Sequence, residues 1–288
     1  MTPTLVQRNN RHRIPSPTTD PRARVRDWAE IQERMLVPLY EAVYARLGIG
    51  PGTHLLGLGC GSGLALLMAA ARGARVAGTD PDERRLALAR DRLARRGAGH
   101  GPGGGPAVRL SAAAPAGVRD PHGAPFTVVT DFELPGVPGA GRPAAPSSAD
   151  RLRRARALTV TGGAVVLAGW GPPERCATAS VLRVAARLAD PMCAPARWRP
   201  SGRDDLELLA ERAGLRPDGS GRVACPFGYA DQESAVRGLL STGWFDAAER
   251  ATDTAQVRKE VAEALHPHRR PDGTVWMPNV LRYLIARV

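Results

Sequence analysis

The sequence predicts an α/β fold built on a doubly wound, mostly parallel sheet. Short apolar runs alternate with amphipathic helical stretches through the first half of the chain. A glycine-rich turn joins the first of these runs to its helix. Strand–helix–strand–helix order needs crossover connections, and crossovers make neighbouring strands parallel. A length of 288 residues allows one large α/β domain or one domain with an appended lid.

The elements follow in order. Residues 1–25 are basic and proline-containing and have no apolar core segment, so they read as a disordered tail and not as a secretory signal. Residues 27–47 show helical periodicity, with Trp28, Ile31, Leu36, Leu39, Val43 and Leu47 on one stripe and a break near Pro38. HLLGL (54–58) is a short buried strand, and LALLMAAARG (64–73) is a helix ended by glycine. ARVAGTD (74–80) is a second strand, and PDERRLALARDRLARRG (81–97) a second helix. Strands are expected at 107–111, 126–132 and 163–170, and helices at 149–158, 174–190 and 203–213. RVACPFGYA (222–230) and TVWMPNVLRYLIAR (274–287) read as a final strand pair, with helices in DQESAVRGLL and TAQVRKEVAEAL between them.

Composition narrows the function. The net charge of +12 invites a nucleic-acid reading. Lys259 is the only lysine, however, and the arginines at 84, 85, 90, 92, 95 and 96 interleave with acids on one helix. No basic run is interleaved with stacking aromatics, so solvated helix faces are preferred to a nucleic-acid surface. Cys60, Cys176, Cys193 and Cys225 form no CxxC pair, which argues against structural zinc and for four reduced thiols. No apolar run is long enough to span a bilayer, and the expected location is cytoplasmic.

The stretch LLGLGCGSG (55–63) carries the functional signal. Gly57, Gly59, Gly61 and Gly63 stand between a buried strand and a helix. Glycine allows a positive φ and close approach of a ligand, and the helix N-terminus behind it offers unpaired N–H groups. A dinucleotide fold requires GxGxxG, and both candidate frames fail, at Ser62 and at Leu64. Asp80 lies 21 positions after Gly59, at the end of the second strand. A carboxylate there can accept hydrogen bonds from two ribose hydroxyls. It also fits an N-cap, with Pro81 at N1 and Glu83 at N3.

The spacing Gly59-x-Gly61-x-Gly63 resembles the first motif of class I S-adenosylmethionine-dependent methyltransferases. The stretches WAEIQERMLVPLYEAVYARLGIGPGTHLLGLGCGSG and GARVAGTDPDERRLALAR are similar to the type 11 bacterial small-molecule group. TVTGGAVVLAGWGPPE, CPFGYADQESAVRGLLSTG and HPHRRPDGTVWMPNVLRYLIAR extend the likeness to the C-terminus. The resemblance implies a seven-stranded Rossmann-like sheet with an antiparallel C-terminal strand, over residues 26–288. It implies S-adenosylmethionine as cofactor, held by Gly59, Cys60, Gly61, Gly63, Asp80, Pro81 and Thr130, and a small organic methyl acceptor. Residues 172–220 would form an acceptor-side lid, and Tyr40 would help to close over the cofactor.

Three positions depart from the family pattern. Gly57 stands where an acidic residue usually precedes the glycines. Ser111-Ala112-Ala113-Ala114 stands where an acid usually follows the third strand, and Phe126-Thr127 replaces Phe-Asp at the fourth. These departures raise an alternative: a catalytically impaired protein of this fold with a binding or regulatory role.

Methyl transfer is an in-line displacement at a sulfonium carbon that needs alignment, exclusion of water and sometimes a base. No metal is required. Asp131 and Glu133, after the fourth strand, are the catalytic candidates, and Trp170 follows the fifth. Trp170 and Trp198 read first as packing residues, and His122, His266 and His268 as loop residues away from the chemistry. The Asn/Asp-Pro-Pro-aromatic motif of base-methylating enzymes is missing after the fourth strand, where Thr130-Asp131-Phe132-Glu133 stands. A small-molecule acceptor is therefore preferred to nucleic acid.

Overall fold

A computed structural model describes residues 20–98, 108–112, 124–136, 148–190, 192 and 202–288. Its centre is a seven-stranded sheet in the order β3-β2-β1-β4-β5-β9-β6. The strands are β1 (His54–Leu58), β2 (Arg75–Thr79), β3 (Arg109–Ser111), β4 (Phe126–Asp131), β5 (Thr159–Trp170), β6 (Arg216–Ala224) and β9 (Val280–Arg287). Strands β1 to β5 pair in parallel, and β9 runs antiparallel between β5 and β6. This is the Rossmann-like methyltransferase sheet that the resemblance implies.

The sheet is covered on both faces at its centre, which is why β1, β4 and the second part of β5 are buried without simple alternation. Consecutive residues of β1 feed opposite cores. Leu55 joins the cluster with helices α2 (Val37–Leu47), α3 (Leu64–Ala71) and α6 (Thr178–Ala189). Leu56 and Leu58 join the cluster with α5 (Ser148–Arg156) and α7 (Asp205–Arg212). Helix α4 (Glu83–Ala98) follows β2, and its Leu86 and Leu93 belong to the first cluster.

Several boundaries differ from those expected. The disordered-tail reading reached residue 25, but the chain is already helical in α1 (Pro21–Asp27), where Asp20 accepts from Arg22 N–H and Val25 is buried. Residues 1–19 lie outside the described residues. The helix expected over 27–47 is interrupted by a π-helical turn (Trp28–Gln32) and a 3-10 turn (Glu33–Leu36), and Pro38 opens α2. Strand β5 begins before residue 163 because Gly162, at φ +76°, lets it bulge past β4.

The final strand pair is present but broken. Antiparallel β6–β9 belongs to the main sheet, and β7 (Phe227–Tyr229) with β8 (Val275–Met277) forms a separate two-stranded sheet. Pro226 and Pro278 stand at the breaks, where a residue without an N–H cannot continue a ladder. Buried Asn279 bridges the second break: its side chain accepts from Thr178 N–H and donates to the Met277 carbonyl. Helices α8 (Gln232–Ser241), α9 (Asp246–Ala251) and α10 (Thr254–Ala264) lie between, and α9 was not foreseen. Among the described residues no helix is long and apolar enough to cross a membrane.

Candidate functional site

The chain order of the sheet reverses between β1 and β4, and open α/β sheets bind ligands at the carboxyl ends of such strands. A cavity of about 550 Å³ opens there, within the range of small-molecule sites. Its floor is the turn Gly57–Gly61, the segment Asp80–Asp82, and Thr130 with Phe132–Leu134. Its roof comes from the N-terminal segment, including Trp28, Gln32, Glu33 and Tyr40, and from Thr242–Trp244 with Asp246.

The turn under the cavity exists because three glycines are left-handed. Gly59 and Gly61 have φ +57° and Gly63 has φ +82°. A Cβ on Gly61 would lie 3.0 Å from Trp28 Nε1 and 3.2 Å from Glu33 Oε1, and one on Gly59 3.4 Å from Glu133 Oε2. Gly63 differs from the other two. It does not line the cavity, and a Cβ there would meet the Ala89 Cβ at 2.8 Å. Gly63, expected at the cofactor, instead sets the close packing of the turn on α4.

Asp80 is buried and lines the cavity. Its Oδ2 accepts from Gly61 N–H at 2.9 Å, and its Oδ1 from Asp82 N–H at 2.9 Å. The cap expected at Asp80 lies two residues later, where the Asp82 carboxylate accepts from Arg84 N–H. Burial pushes the Asp80 carboxyl above the usual carboxylate range, against the pull of Arg85 and these two backbone bonds. Cys60, Pro81 and Thr130 line the same cavity. Burial raises the Cys60 thiol strongly and carries that of Cys225 up to about 12, so both stay protonated at neutral pH.

The two catalytic candidates are not free. Arg151 of α5 bridges them, with 2.7 Å to Asp131 Oδ2 and 2.7 Å to Glu133 Oε2. Asp131 is buried and its partner Glu133 largely exposed. Burial pushes the Asp131 carboxyl up, and the Arg151 charge draws it back. Trp170 packs as expected, donating to the Pro135 carbonyl and meeting Trp244 edge-on. His122, Cys193, Trp198, Ala113 and Ala114 lie outside the described residues.

The roof was largely missed. Glu33 is 2% exposed, accepts from Ser62 Oγ–H, and pairs with Arg92 at 2.6 Å. Arg92 also donates to the carbonyls of Ser62 and Ala29, each at 3.0 Å. Arg85 lies over the Trp28 ring at 4.6 Å and donates to the Ser241 carbonyl. Tyr229 donates to Gln32 at 2.9 Å, and Arg24 pairs with Asp246 across the roof. Tyr40, which was expected here, lines the cavity and packs at a tilt against Phe132 with ring centroids 4.8 Å apart. The sequence offers no clear signal for the roof, since Gln32-Glu33 sits in a mixed polar run beside Glu30 and Arg34. No described residue of 172–220 lines the cavity, since α7 and β6 belong to the sheet layers and α6 packs on α9 and α10.

The arrangement fits a nucleoside with a polar extension. The glycine floor admits close approach, Asp80 retains acceptor capacity beside it, and the buried Trp28 Nε1 has no hydrogen-bond partner. Among the described residues no group of three His, Cys, Asp or Glu side chains could hold a metal ion.

Comparison with known proteins bears on the fold and on the segment that carries the glycine turn. Residues 56–114 match the family model described as a methyltransferase domain, a span from β1 to just past β3 that contains the glycine turn and Asp80. No curated protein matches the chain. Among solved structures, E. coli YjhP is similar, with TM-score 0.53 and 19% identity over 93% of this chain and 100% of that one. Bacillus subtilis YcgJ gives 0.52 and 14%, over 86% and 98%. A Bacillus halodurans protein classed provisionally as a methyltransferase gives 0.51 and 16%, over 86% and 97%. At these identities the likeness is one of fold. The resemblance to class I methyltransferases thus stands on a family match over the glycine turn and on the fold as a whole.

Proposed function

We propose that this chain binds S-adenosylmethionine in the cavity over the glycine turn and transfers its methyl group to a small organic acceptor. The observation that carries the reading is the pairing of a left-handed Gly59–Gly61 floor with a buried carboxylate, Asp80, at the end of β2. Asp80 would accept the ribose hydroxyls, and Thr130 and Cys60 would line the same side. The cofactor supplies an electrophilic methyl on a sulfonium, which needs no metal. The chain's part is to hold donor and acceptor in line and to exclude water. The apolar walls Leu36, Tyr40, Phe132, Leu134 and Trp244 serve the second need.

A second reading, binding without turnover, is favoured by one observation. Asp131 and Glu133 are both engaged by Arg151, so neither stands ready as a base. An acceptor that loses its proton easily needs no base, so the first reading does not require one.

Calorimetric titration with S-adenosylmethionine and S-adenosylhomocysteine tests the reading, repeated on Gly61→Val. Micromolar binding is expected for the wild type, an ordinary cofactor affinity of about −8 kcal/mol. It is expected to vanish in the variant, whose Cβ would strike Trp28 and Glu33 and whose φ would be strained. Absence of binding at millimolar cofactor overturns the reading.

A further inference from the structure

Glu33 and Trp28 come from the roof segment and meet the glycine floor at one place. The position of a Cβ on Gly61 is 3.0 Å from Trp28 Nε1 and 3.2 Å from Glu33 Oε1. Each group has unused capacity there. Trp28 Nε1 is buried and donates to nothing. Glu33 Oε2 is taken by Arg92 and Ser62, whereas Oε1 has only Leu64 N–H at 3.4 Å, beyond ordinary hydrogen-bond length. A buried donor without a partner and a buried carboxylate oxygen without a close one are costly unless something completes them.

The floor itself offers few donors at this point. Cys60 N–H donates to the Thr79 carbonyl, Gly61 N–H to Asp80, and Gly63 N–H to the Cys60 carbonyl. Gly57 brings no carboxylate at the end of β1. The pair from the roof is therefore what a ligand would meet beside Gly61. Charge balance limits what that ligand can be. Glu33 is already neutralised by Arg92, so a lone cation would leave an excess positive charge in a buried place. A zwitterion adds one charge of each sign and no net charge.

We infer that Trp28 and Glu33 form a subsite for a zwitterionic α-amino-acid group, with Glu33 Oε1 accepting from the ammonium and Trp28 Nε1–H donating to the carboxylate. This rests on the cofactor reading above, since S-adenosylmethionine carries such a group beyond its ribose. Asp80 Oδ2 reaches Gly61 N–H, so the ribose-side carboxylate and the Trp28–Glu33 pair converge on one residue of the floor. The subsite belongs to the roof, so binding the amino-acid end also closes the N-terminal segment onto the turn.

The test is calorimetry on the full chain with two probes, S-adenosylhomocysteine and 5′-methylthioadenosine, which keeps the nucleoside and thioether but lacks the amino-acid group. Wild type, Glu33→Gln and Trp28→Phe are compared. Glutamine keeps an oxygen for Arg92 and Ser62, and phenylalanine keeps an aromatic ring under Arg85. Both variants are expected to weaken S-adenosylhomocysteine about tenfold or more, the worth of one charge-assisted hydrogen bond. Methylthioadenosine affinity should stay within about twofold, less than one weak contact. Equal loss of both probes would show only a damaged floor, and loss of neither would show no contact; either result overturns the subsite while leaving the cofactor reading intact. A wild type that binds neither probe overturns the cofactor reading, and the subsite with it.

Discussion

At Asp80 each carboxylate oxygen already accepts one backbone N–H, and each keeps room for a second donor. Asp80→Ala should therefore cost cofactor affinity directly. Hydrogen bonds to a charged group contribute about 1.5–3 kcal/mol each, so one to two decades in Kd are expected. Acid should act in the same direction. Because burial raises the Asp80 pKa, its carboxylate is lost at a higher pH than an ordinary one, and S-adenosylhomocysteine affinity should fall as pH drops through that raised value. Stability moves the other way. A carboxyl with a raised native pKa takes up its proton more readily when folded, so the wild type should gain stability relative to Asp80→Asn as pH falls. Calorimetry and melting over the same pH series check both signs, and an affinity flat with pH would remove Asp80 from the site. The convergence of Gly59, Gly61 and Asp80 on one cavity was legible because spacing and strand position are written in the sequence. Gly63 lies outside the cavity lining, and a glycine required by Ala89 of a neighbouring helix looks the same in sequence as one required by a ligand.

The roof segment shows what sequence periodicity cannot convey. A π turn over Trp28–Gln32 followed by a 3-10 turn over Glu33–Leu36 shifts the phase of the helix twice. Uniform 3.6-residue spacing keeps the apolar stripe but loses Gln32 and Glu33, which turn inward and are buried. Such interruptions persist where tertiary bonds hold them, and here those bonds are Gln32 to Tyr229 and Glu33 to Arg92 and Ser62. Arg92→Ala should leave the Glu33 carboxylate buried without its charge. That costs about 2–3 kcal/mol, somewhat under the figure for a fully buried pair because Arg92 is about a quarter exposed. Removing both residues should cost less than the sum of the two single changes. Urea unfolding of the two singles and the double decides this, and simple additivity would mean that the pair does not hold the roof. The strands were read more securely. Most boundaries follow local apolar runs, and the errors fall at Pro226 and Pro278, at the Gly162 bulge, and in the polar first half of edge strand β6, which starts at Arg216 and carries no apolar run.

Over the whole molecule, the cavity joins elements far apart in the chain. The floor comes from β1, β2 and β4, and the roof from residues 21–40 and 242–246. Residues 172–220, an attractive lid by their position between strands, lie elsewhere among the described elements: α7 covers the sheet and α6 packs on α9 and α10. The roof carries no strand, and beside the buried Val25, Leu36 and Tyr40 it is fastened by Arg24–Asp246, Arg92–Glu33 and the Arg85 contact with the Trp28 ring. Elements held in this way open locally at less cost than the sheet does. A ligand binding only the closed form stabilises it by mass action, by about 2.7 kcal/mol at a hundredfold excess over Kd. Amide hydrogen exchange with and without S-adenosylhomocysteine reads this segment by segment. Protection should rise at 28–40 and at 242–246, remain unchanged in α6 and α7, and change least in β1, β4 and β5, which exchange only on global opening. Slowing confined to α6 and α7 would return the lid to 172–220 and displace the roof from the site. Slowing at 28–40 that disappears in Glu33→Gln would tie closure to the carboxylate that this segment carries to the glycine floor.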